Sequence, residues 1–164
     1  MNTASIRICG YRPELATAFA TLNFSWIEAL FEVEEADRKV LLDPEHSVID
    51  PGGAILFALS DAEAIGCVAL KPVRPGVLEL TKMAVREDLR GRGIGALLMQ
   101  AAIDTAKQLN ASELVLDTQS SLKNAIALYE RFGFTYIASA GSIYRRSDVS
   151  MRCALDYAGD ALNR

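Results

Sequence analysis

Apolar and polar residues alternate in several short stretches of this 164-residue chain, and a period of two predicts β-strands. The first stretch covers residues 6–9. Three more follow in close succession at 54–59, 64–70 and 77–85, and their short links predict antiparallel neighbours. Further strands are predicted at 113–117, 134–137 and 149–155.

Apolar residues at helical spacing predict four helices between the strands. These helices cover about 13–30, 35–42, 93–109 and 121–132. The third has an apolar stripe made of Ile94, Leu97, Leu98, Ala101 and Ala102. The fourth has Ser121 as its N-cap and Gly133 just beyond its end. Residues 43–53, with the single histidine His46, are predicted to be a loop.

The order of elements is strand, helices, three strands, helix, strand, helix and two strands. It predicts one mixed α/β domain over residues 1–164, with parallel pairing across the central helix.

Composition narrows the classes of function. The net charge of −4 argues against a nucleic-acid binder built on bulk positive charge. The first 15 residues lack the charged start and long apolar centre of a signal peptide, and no apolar run approaches the ~20 residues that a membrane helix needs. A cytoplasmic protein without membrane contact is therefore expected. Cys9, Cys67 and Cys153 are far apart and form no cluster with histidine, which predicts no metal site and an inert buried thiol at Cys67.

Charge is nevertheless uneven along the chain. Acidic residues crowd positions 28–37, and Lys82, Arg86, Arg90 and Arg92 form a basic cluster. A local basic cluster in an acidic protein predicts a small anionic ligand, whereas the acidic stretch is typical of a solvated surface.

The basic cluster overlaps a glycine-rich turn, residues 90–95, between a predicted strand and a helix. The first N–H groups of a helix have no internal partner and carry partial positive charge. Glycine lets a ligand approach the backbone, and two arginines can bind phosphate oxygens. Three glycines exceed what a tight connection needs, so the turn predicts a pyrophosphate site.

A dinucleotide-binding turn is the rival interpretation. Gly91, Gly93 and Ala96 fit its glycine fingerprint, and Asp117 ends the next strand, where an acid would bind the ribose. Residues 86–90 separate the strand from the turn, however, and too little chain follows for further βαβ units.

The segment ELTKMAVREDLRGRGIGALLMQAA, residues 79–102, resembles the acyl-CoA-binding core of the GNAT superfamily of N-acyltransferases. The segment NAIALYERFGF, residues 124–134, resembles the helix and strand of that family beside the pantetheine arm. The likeness covers about residues 54–138 and implies a mixed, mostly antiparallel sheet of six or seven strands flanked by helices, with the parallel pair at the CoA site.

The resemblance also implies roles for matching positions. Backbone groups at 83–85 would pair with the pantetheine amides, the turn would hold the pyrophosphate, and Tyr129 would face the thioester sulfur. The residues assigned to the coenzyme in this way are Met83, Ala84, Val85, Arg90, Gly91, Arg92, Gly93, Ile94, Gly95 and Asn124.

Acetyl transfer to an amine requires that the amine lose a proton, and Glu79 is a candidate base. It alternates with Leu78 and Leu80 and so lies on the other face of the strand, where an exposed, solvated glutamate is the competing interpretation. Tyr129 is a candidate proton donor to the departing thiolate, with a core aromatic side chain as the alternative.

The sequence thus predicts an N-acetyltransferase that uses acetyl-CoA as cosubstrate, without a metal, and acts on a primary amine of a small molecule or peptide in a ternary complex. The acidic stretch favours a cationic acceptor. A non-catalytic CoA-binding module and a dinucleotide-dependent enzyme are the alternatives. The acceptor, the acyl chain and the oligomeric state stay open, a homodimer included.

Overall fold

The computed structural model describes residues 5–139 and 141–156, which contain seven strands and four α-helices. The strands are β1 (Ile6–Gly10), β2 (Ala54–Ser60), β3 (Glu63–Arg74), β4 (Val77–Val85), β5 (Glu113–Thr118), β6 (Thr135–Ile137) and β7 (Val149–Ala154). The helices are α1 (Ala16–Leu30), α2 (Glu35–Leu41), α3 (Ile94–Gln108) and α4 (Lys123–Arg131). None of the helices in this part of the chain is long and apolar enough to cross a membrane.

The strands form one sheet in the order β1-β2-β3-β4-β5-β7-β6. All neighbours are antiparallel except β4 and β5, which are parallel because α3 carries the chain back across the sheet between them. The predicted mixed sheet with a single parallel pair is therefore confirmed. A dinucleotide-binding fold, which needs successive parallel βαβ units, does not match this topology.

Helices cover both faces of the sheet and form two apolar cores. On one face, Leu98 and Met99 of α3 pack with Leu80 and Leu114 of the sheet. On the other face, Phe19 of α1 packs against Phe57 of β2, with ring centroids 6.4 Å apart and an edge-to-face arrangement. Because β2 and β3 are buried on both sides, their sequences are nearly continuous apolar runs rather than alternating ones.

Local structure departs from the sequence expectation in the segment before β2. Residues 43–53 are not wholly a loop, because Glu45–Ile49 form one π-helical turn. His46 is exposed on this turn, with its ring nitrogens 3.0 Å from Asp43 and 3.7 Å from Asp50. These carboxylates raise the pKa of His46, first through the hydrogen bond that Asp43 accepts from the imidazole ring.

Two details of α3 and α4 also differ from expectation. Leu97 is 40% exposed, and the buried face of α3 is formed by Ile94, Leu98, Met99, Ala102, Ile103 and Ala106. Ser121 does not cap α4, because its hydroxyl is hydrogen-bonded to Gln119 and the helix begins at Lys123.

Candidate active site

Strands β4 and β5 separate after a short paired region. They pair only over residues 77–79 and 113–115 in the described part of the chain. Beyond that point β4 stays on β3 as far as Val85, and β5 stays on β7 as far as Thr118. A cleft of about 760 Å³ lies along the gap. The side of β4 that faces this gap is thus a strand edge to which an extended ligand could hydrogen-bond.

A β-bulge at Lys82 shapes the wall of this cleft. The register between β3 and β4 shifts between Cys67 and Ala69, and Lys82 has a positive φ of 53°. After the bulge, Met83 and Val85 pack towards α3, the side that Leu80 faces before it. Lys82 itself projects to the opposite side, towards α2. Bulges re-aim side chains in this way and are common beside active sites.

The glycine-rich turn forms one end of the cleft. Leu89 anchors the turn in the core, and Gly91 and Gly93 then adopt φ values of 77° and 82°. A side chain at either position would meet no atom within 4 Å, so the backbone conformation, rather than lack of space, calls for glycine. Gly93 is the N-cap of α3, so the first N–H groups of that helix open beside the turn.

Gly95 has a different role, because a Cβ there would lie 3.3 Å from Leu128 of α4. The absence of a side chain lets α3 and α4 approach each other at the cleft. The two segments that carry the family resemblance therefore meet at one site.

The basic cluster predicted from the sequence is divided by the fold. Arg86 is occupied by ion pairs of 2.6 Å to Glu63 and 2.7 Å to Asp88. Arg90 lines the cleft, whereas Arg92 is exposed and is not among the lining residues. Lys82 also lines the cleft, but its side chain projects away from the turn, towards α2. Arg90 is thus the member of the cluster that the structure places in the cleft beside the turn.

Tyr129 and Asn124 of α4 line the opposite wall of the cleft. The Tyr129 ring packs against Phe134 with centroids 5.9 Å apart, and burial raises the pKa of Tyr129 to about 12. Its hydroxyl has no hydrogen-bond partner in the described part of the chain. The side chain is accordingly a neutral phenol that can offer its proton to a group in the cleft.

Of the sequence-predicted residues, those that line the cleft are Met83, Ala84, Val85, Arg90, Gly91, Gly93, Ile94, Gly95, Asn124 and Tyr129. Glu79 is not among the lining residues. It lies on the face of β4 away from Leu78 and Leu80, as its alternation with them predicts, and it is half-buried. Burial, and then the negative charge of Asp117, raise the pKa of Glu79.

A buried cluster of charges lies at the remaining wall, which Lys82, Tyr144 and Arg146 line. The sequence did not reveal this cluster. Asp37 of α2 and Lys82 are joined at 2.8 Å, with side chains 0% and 2% exposed. The ammonium of Lys82 also donates to the hydroxyl of Tyr144 at 3.0 Å. Arg146 donates to both carboxylate oxygens of Asp37, each at 2.7 Å, and to Glu34 at 3.2 Å.

Burial and pairing set the charges of this cluster. Burial alone would raise the pKa of Asp37, but hydrogen bonds from Arg146 and Lys82 lower it to about 2. Burial lowers the pKa of Lys82, and the opposing effect of Asp37 is smaller, so the pKa is lowered overall. Although burial opposes the charge of Arg146, Asp37 and Glu34 raise its pKa.

The matches to known proteins agree with this geometry. The family model described as Acetyltransferase (GNAT) family matches residues 18–134. The chain belongs to the GNAT family. The resemblance inferred from residues 79–102 and 124–134 is therefore confirmed.

Two curated GNAT relatives are both uncharacterised. The chain is 38% identical over 96 residues to an N-acetyltransferase of Schizosaccharomyces pombe, covering 57% of this chain and 59% of that protein. It is 32% identical over 101 residues to the N-acetyltransferase YvbK of Bacillus subtilis, covering 60% and 65%. The match thus spans less than two thirds of the length of either relative.

Solved structures show the same GNAT fold. An acetyltransferase of the GNAT family from Staphylococcus aureus Mu50 superposes with a TM-score of 0.83 at 21% identity, over 92% of this chain and 99% of that one. A GNAT family acetyltransferase from Elizabethkingia anophelis, solved with acetyl-CoA bound, gives a TM-score of 0.71 at 20% identity, over 92% and 99%.

Proposed function

We propose that this GNAT protein transfers an acetyl group from acetyl-CoA to a primary amine while both substrates are bound. The observation that carries the proposal is the convergence, in one cleft, of the glycine turn, the open edge of β4 and the neutral phenol of Tyr129. These three features match the phosphates, the amides and the sulfur end of one long ligand.

The residues present fit acetyl-CoA. The turn around Arg90, Gly91 and Gly93, with the start of α3, offers backbone N–H groups and one guanidinium to the pyrophosphate. Residues 83–85 offer strand hydrogen bonds to the pantetheine arm, and Asn124 lies on the facing helix. Acetyl-CoA would supply an acetyl group activated as a thioester.

Tyr129 acts as the proton donor to the sulfur in this proposal. With a pKa of about 12, its hydroxyl stays protonated at neutral pH, and it has no competing partner in the described part of the chain. A neutral donor near a developing thiolate lowers the barrier to its departure.

Glu79 acts as the proton acceptor for the amine. An alkylamine has a pKa of about 10.4 and must lose a proton before it can attack. The raised pKa of Glu79 makes it a stronger base than an exposed glutamate. Because Glu79 lies behind the lining residues, the proton would reach it through water.

Cys67 has no part in this reaction. Its thiol is fully buried, and burial raises its pKa to about 12, which keeps it a neutral, poor nucleophile. Acetyl transfer therefore proceeds directly from the thioester to the amine, without an acetylated cysteine.

Ligand-dependent stability tests the first half of the proposal. Acetyl-CoA at about 100 times its dissociation constant should stabilise the fold by about 2.7 kcal/mol, which raises the melting temperature by roughly 5–10 °C. CoA should act similarly, and NAD should have no effect. Stabilisation by NAD alone would contradict the assignment of the turn.

Release of free thiol across a panel of primary amines tests the second half. At least one amine should raise the rate well above that of acetyl-CoA hydrolysis. If acetyl-CoA binds and no amine raises thiol release, a non-catalytic CoA-binding module becomes the better description.

A further inference from the structure

One edge of the Arg146 guanidinium is unpaired among residues 5–139 and 141–156. Its two terminal nitrogens hold the two oxygens of Asp37, and the remaining N–H of one of them reaches Glu34. Nε–H and the second N–H of Nη2 have no partner in the described part of the chain. These two groups form a parallel pair that matches a carboxylate in a bidentate manner.

Arg146 lies in the wall of the cleft. It is one of the lining residues, and its side chain is 14% exposed. Its guanidinium lies 4.8 Å from the ring centroid of Tyr144 and 6.0 Å from that of Trp26, and both of these residues also line the cleft. The guanidinium is thus held by two hydrogen bonds to Asp37 and lies near two aromatic rings.

The lining groups beside Arg146 are also hydrogen-bond donors. The Tyr144 hydroxyl accepts from Lys82 and keeps its own proton, since burial raises its pKa. The carboxylates of Asp37 and Glu34 are engaged behind this wall and are not lining residues. The acidic stretch therefore does not present a surface for a cationic acceptor at this wall.

The cleft also has acidic groups within reach. Asp117 of β5 lines the cleft, and one of its oxygens accepts from Ser150 at 2.6 Å. Glu79 is close enough to Asp117 for that charge to raise its pKa. Glu79 is also close enough to Tyr144 for its charge to add to the rise in the pKa of that hydroxyl. Groups that suit a carboxylate and groups that suit an amine therefore lie near each other at this cleft.

We infer that the acceptor is a small amine that also carries a carboxylate, which Arg146 binds through its Nε and Nη2 edge with Tyr144 as a neighbouring donor. The inference rests on the proposed acetyl transfer and specifies its second substrate. The amine end of such a molecule lies towards Asp117 and Glu79.

Matched substrates test this directly. Glycine, glutamate, phenylalanine and tryptophan are compared as acetyl acceptors with their primary amides, and putrescine serves as a purely cationic amine. The amide has the less basic amine, so intrinsic reactivity at neutral pH favours the amide. We expect the best acid to exceed its amide in kcat/KM by roughly 10- to 100-fold, the value of a charged hydrogen-bonded pair.

Variants test whether Arg146 is the residue responsible for the preference for acids over amides. Arg146→Lys keeps a positive charge beside Asp37 but lacks the Nε and Nη2 pair of N–H groups. It should reduce the ratio of kcat/KM for the acid to kcat/KM for its amide to near one, while the KM for acetyl-CoA is unchanged. Arg145→Lys changes the neighbouring exposed arginine and should keep the wild-type ratio. If Arg146→Lys fails to fold, Tyr144→Phe, which removes only a hydroxyl, should lower the same ratio.

The outcomes separate this inference from the proposed function. An amide or putrescine that matches the best acid, or a wild-type ratio in Arg146→Lys, overturns the carboxylate site while leaving acetyl transfer intact. If no amine is turned over, the proposed function fails. Calorimetric binding of N-acetylated acids and N-acetylated amides to the CoA-saturated protein then decides the carboxylate site, and equal affinities overturn it.

Discussion

Asp37 and Lys82 form a 2.8 Å ion pair inside the protein although 45 positions separate them in the sequence. Arg146, from a third segment of the chain, donates two hydrogen bonds of 2.7 Å to the same carboxylate. Lys82 and Arg146 line the cleft, and the buried Asp37 behind them compensates both of their charges. Because a buried charge is costly without its partner, the shape of this wall and the stability of the fold are linked.

Asp37→Asn should strongly destabilise the protein. The amide cannot neutralise Lys82 and Arg146, and breaking a buried ion pair from one side costs about 3–5 kcal/mol. Urea unfolding followed by circular dichroism measures the loss. The control is Glu35→Gln on the same helix, whose side chain is 90% exposed and whose replacement should change the free energy of unfolding by less than ~0.5 kcal/mol. A loss no larger for Asp37→Asn than for Glu35→Gln would show that the cluster is not a structural element.

The same carboxylate should make stability depend on pH. The pKa of Asp37 falls from 3.8 to about 2 in the folded protein, so the folded state binds its proton less readily than the unfolded state. The stabilisation is complete above about pH 5 and is lost as the pH falls towards 2, a change of about 2 kcal/mol. The free energy of unfolding of the wild type exceeds that of Asp37→Asn, and this excess should therefore decrease by about the same amount as the pH is lowered from 6 to 2. A constant difference would contradict the lowered pKa.

Tyr129→Phe should lower kcat by about 100-fold, the usual loss when a general acid is removed. The phenyl ring keeps the packing against Phe134, so the dissociation constant for acetyl-CoA should stay within about twofold. Tyr136→Phe is the matched control, because this tyrosine is 57% exposed and its hydroxyl donates to Glu130. Steady-state kinetics and calorimetry separate the two effects. Equal turnover in both variants would exclude Tyr129 as the proton donor.

Local sequence signals were sufficient to predict most of the sheet and the glycine turn that forms one end of the cleft. The order of elements follows from alternation and from turn residues, and the parallel pair follows from α3 lying between β4 and β5. Gly91 and Gly93 are recognisable because a positive φ restricts the residue type at each position.

The charged wall of the cleft could not be predicted in this way. Asp37, Lys82 and Arg146 come from three distant segments, and each looks like an ordinary surface charge in its own neighbourhood. The sequence places Lys82 in a cluster with Arg86 and Arg90. The bulge that turns its side chain to the other face of the sheet has no local sequence signature. Only long-range contacts reveal the cluster, and sequence spacing carries no information about them.

Alanine variants of Gly93, in the glycine turn, and of Gly52, outside it, should both be strained by a positive φ. Gly93 and Gly52 have φ values of 82° and 102°, and a Cβ at either position would meet no atom within 4 Å. An alanine at either site is therefore strained by its backbone conformation alone, at a cost of about 1–2 kcal/mol. Gly52→Ala and Gly93→Ala should lose similar stability in thermal or urea unfolding.

Their effects on ligand binding should differ. Gly93 caps α3 in the cleft, whereas Gly52 follows the π-helical turn and is not a cleft-lining residue. If alanine forces the turn to relax, the N–H groups of the turn and of the first helical residues move away from the phosphates. The dissociation constant for acetyl-CoA should then rise at least about tenfold in Gly93→Ala, as expected for losing about one charged hydrogen bond, and stay unchanged in Gly52→Ala. Wild-type affinity in Gly93→Ala, alongside the stability loss, would mean that the turn is a structural connection and that the pyrophosphate binds elsewhere.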